Sequence, residues 1–144
     1  MDTGLLNREI CGMQSDSGLN RNKMEWVIQA FDDTFGKAVQ LLKKPEKAGP
    51  MDEFVLCYEY IPLNYQIKFD TERKLFEIII LNKEEFIPLD KIEKYNPELT
   101  AENVRSAVLQ LKNVLEKNDF CFYVKRGMHL YEKSGENYKK IKNF

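Results

Sequence analysis

Histidine occurs once in the 144 residues, at position 129, and cysteine three times, at 11, 57 and 121. No CxxC or HxxxH spacing and no dense carboxylate loop is present, so the sequence offers no transition-metal or calcium site. An odd number of widely spaced cysteines suits reduced thiols better than a disulfide framework, and the expected setting is cytoplasmic. The seven glycines, at 4, 12, 18, 36, 49, 127 and 135, are too far apart to cradle a phosphate, which removes P-loop and dinucleotide-binding readings. No GxSxG elbow occurs, and "SDSG" lies in a polar stretch away from any strand-to-helix turn. No cofactor is expected. Apolar runs stay well short of the roughly 18 residues a membrane helix needs, and the start "MDTGLLNREICGMQ" has an acid at position 2 and no signal-like apolar core. A membrane is therefore not an expected partner. With 23 acids against 22 bases the net charge is -1, so no global field steers the chain toward nucleic acid or anionic lipid.

What is present suits a globular fold: 43% hydrophobic and 31% charged residues, in a length that fits one domain with a real core. Residues 1–23 are polar and glycine-punctuated and read as an N-terminal arm, flexible or packed back, ahead of a single α+β domain over 24–144. In "NKMEWVIQAFDDTFGKAVQLLKK", Val27, Ile28, Phe31, Phe35, Ala38, Val39 and Leu42 fall within about 60° of one direction at helical spacing, which predicts a first helix ending at Pro45. From 53 to 82 the period becomes two. Phe54, Leu56, Tyr58 and Tyr60 share one face, as do Tyr65, Ile67 and Phe69, with Gln66 and Lys68 opposite. "KLFEIIILN" is apolar on both faces and reads as a central strand covered on both sides. Pro88 and Pro97 limit "EEFIPLDKIEKYNPEL" to one helical turn near Lys91 to Tyr95.

Thr100 then offers an N-cap, and Val104, Ala107, Val108, Leu111 and Leu115 carry a second helix up to Asn118. The remaining residues read as hairpins turning at Arg126-Gly127 and near Gly135. The expected architecture is α+β, a mixed or antiparallel sheet of five or six strands with two main helices, in the order α-β-β-β-α-β-β(-β). In element order alone, without a shared motif, this is similar to the type III secretion chaperones and related small domains, and that resemblance implies binding of partner segments as dimers.

Catalytic readings find little support. With a two-residue turn at Arg126-Gly127, Val124 faces His129 and Cys121 faces Glu132. Alternation then puts His129 with Phe120, Phe122 and Tyr131 on one face and Cys121 on the other. Cys57 remains as a spatial partner for His129, so a small Cys/His enzyme is the second alternative. The adjacent acids Asp32-Asp33 and Glu84-Glu85 diverge on a helix or a strand and read as solvated surface.

Residues 118–144 hold six Lys or Arg against three acids, interleaved with aromatics. Lys125, Arg126, Tyr131, Lys139 and Lys140 therefore define the first alternative, single-stranded nucleic-acid binding by the C-terminal hairpins. Basic residues also serve to block strand addition at an edge.

The leading reading rests on Trp26. On a 100° count it lies near 200°, beside Asp33, Lys37 and Gln40 and almost opposite the apolar stripe. Its cover is then the arm, a second subunit or another protein. Tryptophan is strongly enriched at binding hot spots, so Trp26, Asp33, Lys37 and Gln40 are the candidate partner-binding residues. The expected function is non-enzymatic protein binding of the inhibitor, immunity or chaperone type, with another protein or a second copy of the chain as partner.

Overall fold

The computed structural model describes residues 16–45 and 53–141, with side chains from Lys23 onward. Cys11 and residues 1–15 of the expected arm lie outside that range. Helix α1 (Asp16–Phe35) begins within the segment assigned to the arm, and the second helix, α2, spans Ala101–Lys117. The strands are β1 (Val39–Lys43), β2 (Val55–Tyr60), β3 (Tyr65–Glu72), β4 (Leu75–Asn82), β5 (Glu85–Pro88), β6 (Tyr123–Arg126), β7 (His129–Ser134) and β8 (Asn137–Ile141). They form one eight-stranded antiparallel sheet in sequence order, with α2 inserted between β5 and β6. The fold class is α+β as expected, but the sheet has eight strands and not five or six.

The two additional strands have separate causes. Gly36 takes a left-handed φ of +56° directly after Phe35, a conformation that ends helices and that residues with a Cβ avoid. The first helix therefore stops well before Pro45. Val39, buried on the predicted helical stripe, is buried instead from β1. The second unexpected strand, β5, follows a Lys83-Glu84 turn in which Lys83 has a φ of +61°. Its Pro88 is the final strand residue, a position where the missing N–H is tolerated.

Strand alternation sorts the sheet into two faces. The inner face carries Leu56, Tyr58, Tyr60, Ile67, Phe69, Phe76, Ile78, Ile80 and Ile87, all buried in one cluster with Val27, Phe31 and Phe35 of α1 and Val104, Val108, Leu111 and Leu115 of α2. Both helices lie on this face. Thr100 caps α2 by accepting a hydrogen bond from the Asn103 N–H at 3.1 Å, and Asn118, with a φ of +49°, ends it. The outer face carries no described helix. Consequently β4 is central in the sheet, and among the described residues helices cover one side of it only: Leu75 is 54% exposed, while Ile79 and Leu81 are half-buried. No helix among the described residues is long and apolar enough to cross a membrane.

Candidate functional site

Ala30 is the residue that the stripe of large side chains left out. It is buried, and it widens the covered arc of α1 toward α2, against which α1 packs. Trp26 sits at the edge of that widened arc, half-buried. Its neighbour is a fourth candidate beyond the three considered: a cleft of about 340 Å³ lined by Glu25, Trp26, Gln29 and Ala30 from α1 and by Ala101 and Arg105 from the first turns of α2. Ala30 and Ala101 line the cleft with the indole, one from each helix, and the charged Glu25 and Arg105 line it as well. The Gln29 amide donates to Asp33 Oδ1 at 2.8 Å, so the polar strip beside Trp26 is ordered along one helix face.

Of the four candidate partner-binding residues, the structure keeps Trp26 and Asp33 on that face. Lys37 is exposed in the short turn after Gly36, and Gln40 belongs to β1, where it pairs with Glu59 on the outer face of the sheet. The break at Gly36 takes both out of the helical count that had grouped them.

The C-terminal hairpins turn at Gly127-Met128 and Gly135-Glu136, each glycine carrying the positive φ that primed hairpin turns need there. The first turn lies one residue later than expected, so Val124 faces Tyr131 and not His129, and Tyr123 faces Glu132. The partner shifts by two positions, which leaves each side chain's face unchanged. Arg126, Tyr131 and Lys140 share the inner face, while Lys125 and Lys139 lie on the outer one. The five are thus not gathered on one surface. Arg126 also stacks over Tyr138 at 4.3 Å, and Lys133 is held by Glu85, which raises the affinity of its ammonium for its proton.

His129 lies on the inner face beside Tyr131, and Cys57 pairs with Lys68 on the outer face, so the sheet separates them. Among the described residues no group of three or more His, Cys, Asp or Glu is arranged to hold a metal.

One constellation was missed in the sequence. The β3–β4 register places Asp70 directly opposite Glu77, and the turn after β5 brings Asp90 toward both. They border a hollow of about 450 Å³ whose apolar side is formed by Leu75, Tyr95 and Pro97. Burial raises the Glu77 carboxyl above the usual range, Asp90 and then Asp70 raise it further, and Lys68 partly offsets them. Tyr95 accepts a hydrogen bond from the Ile78 N–H at 3.1 Å, and burial pushes its phenol up to about 12. The available signal was the turn in "DTERKLFE": two residues at Arg73-Lys74 make Asp70 and Glu77 cross-strand partners. Adjacency in sequence was the wrong place to look for converging acids.

Compared with protein-family models, with curated proteins and with solved structures, the chain matches none.

Proposed function

We propose that this chain is a non-enzymatic protein-binding module of the inhibitor, immunity or chaperone kind, acting in the cytoplasm, whose α1 face occludes a partner surface. The observation that carries the reading is the placement of Trp26, the one tryptophan in the chain, half-buried at the mouth of the α1–α2 cleft. A half-buried indole in a cleft between two helices has less rotamer freedom to lose than one on an open surface, so a partner gains its contact area at a lower entropic cost. Gln29 and Asp33 offer polar contacts along the same face, and Arg105 supplies a cation at the rim. The partner implied is a protein segment that presents an apolar side chain to the indole and donors to the Asp33 carboxylate. Acidic residues on the surrounding surface act mainly on encounter rate.

The nucleic-acid alternative has less support, because a single strand following one face of the hairpins meets only part of the basic set. Among the described residues the Cys/His alternative lacks a thiol on the imidazole's side of the sheet.

The test is capture from the native host by tagged full-length chain, compared with Trp26→Ala. A specific protein retained by the wild type and lost from the variant, with a melting temperature lowered by only a few degrees, supports the reading. Equal capture by both chains refutes it by making the indole dispensable for binding, and collapse of the Trp26→Ala fold refutes it by assigning the indole to the core.

A further inference from the structure

The face of the sheet that carries no described helix has an order of its own. The registers align one row of outward side chains across seven consecutive strands: Glu59 on β2, Gln66 on β3, Leu81 on β4, Phe86 on β5, Tyr123 on β6, Glu132 on β7 and Lys139 on β8. Leu81, Phe86 and Tyr123 form its apolar middle, flanked on one side by Gln66 and Glu59, with Gln40 of β1 beyond them, and on the other by Glu132 and Lys139. Leu81, Phe86 and Tyr123 are half-buried by their strand neighbours alone, with Phe86 and Tyr123 in edge contact at 6.2 Å.

We propose that this face is a homodimer interface closed about a two-fold axis running along β5. That operation brings a second copy's row down in reverse order. Phe86 meets Phe86, Leu81 meets Tyr123, Gln66 meets Glu132, and Glu59 of each copy meets Lys139 of the other. Glu59 and Lys139 lie three strands from β5 on either side and carry opposite charge, so the rotation creates two attractive pairs at the rim. One step along the strands it places Lys68 against Ser134 and Cys57 against Asn137, and one step the other way it brings Lys125 to the partner's Lys83-Glu84 turn. A symmetric interface requires a patch complementary to itself, and this row meets that condition in both polarity and charge.

The geometry is compatible with sheet packing. Six steps between neighbouring strands span roughly 29 Å, which puts the ion pairs at the edge of the contact and the three apolar residues at its dry centre. Packed sheets rotate by about 30° relative to one another, an offset that side chains as long as Lys and Glu can bridge at the rim. The net charge of -1 opposes association by almost nothing. The contact lies on the side of the sheet away from the Trp26 cleft, so the two surfaces can be tested separately.

Sedimentation velocity on the full chain decides the matter. The wild type is expected to be dimeric at concentrations up to about 100 μM, and Phe86→Glu monomeric with an unchanged far-UV spectrum. Glu59→Lys alone and Lys139→Glu alone should each raise the dimer Kd about tenfold, and the double variant should return it to the wild-type value, since both rim pairs are rebuilt with their signs exchanged. A monomeric wild type, a dimer that survives Phe86→Glu, or a double variant no tighter than the single ones overturns the proposal. Should Phe86→Glu fail to fold, the three charge variants still decide it, because both positions lie on the solvent-facing side of the sheet.

Discussion

Phe31 stacks on Tyr58 with ring centroids 4.1 Å apart and planes 13° from parallel, and this pair seats α1 on β2. The stack leaves Tyr58 1% exposed, with a buried hydroxyl that has no hydrogen-bond partner among the described residues. Burial raises the phenol's pKa, and the charge of Asp32 raises it further. A buried polar group without a partner forfeits its hydration for nothing in return. Tyr58→Phe keeps the stack and removes the orphan, so the variant should be more stable by about 1 kcal/mol in urea unfolding. A loss of similar size would show that the hydroxyl is satisfied.

Glu77 supplies a pH dependence of known sign. Its folded pKa lies above the unfolded value, so the folded state binds the proton more tightly, and the associated stability is full below about pH 4 and is lost as pH rises through the folded pKa. Glu77→Gln carries no charge in either state. It should melt above the wild type at pH 7, and the gap should close as pH approaches 4. The exposure of Glu77 keeps the difference under about 1 kcal/mol. A gap of constant size across that range, or one of opposite sign, would contradict the assignment.

Gly36 separates two accounts of the first helix. A Cβ at this position meets nothing within 4 Å, so Gly36→Ala costs only the strain of a left-handed φ, about 1 kcal/mol of unfolding free energy, and Gly36→Asn costs less. Were the helix to run on to Pro45, the same alanine would stabilise it by a similar amount through helix propensity.

These residues also show where the sequence could be read and where it could not. Thr100, the 3.6-residue spacing from Val104 to Leu115 and the stop at Asn118 all point to α2, and the alternation in "EFVLCYEY" and "YQIKF" sorts both strands onto their observed faces. Each of these signals is local. The end of α1 was obscured because Ala38, Val39 and Leu42 continue its apolar spacing by chance, and the glycine that breaks it also occurs inside helices. Strand β5 was hidden by its terminal proline. The angle of Trp26 was readable, but periodicity gives a direction and not an occupant: whether α2, an arm or a partner lies there depends on how elements pack. Asp70 and Glu77 show the same limit, since only the register of a hairpin makes them neighbours.

The central claim, that α1 binds a partner protein through Trp26, can be read from the molecule's own fluorescence. Because the chain has one tryptophan, its emission reports on the α1–α2 cleft alone. Titrating the full chain with the protein it captures should shift that emission to the blue and reduce quenching by acrylamide, with saturation at the stoichiometry of binding. Saturable binding, established independently, that leaves both the emission maximum and the quenching unchanged would place the partner elsewhere and contradict the account.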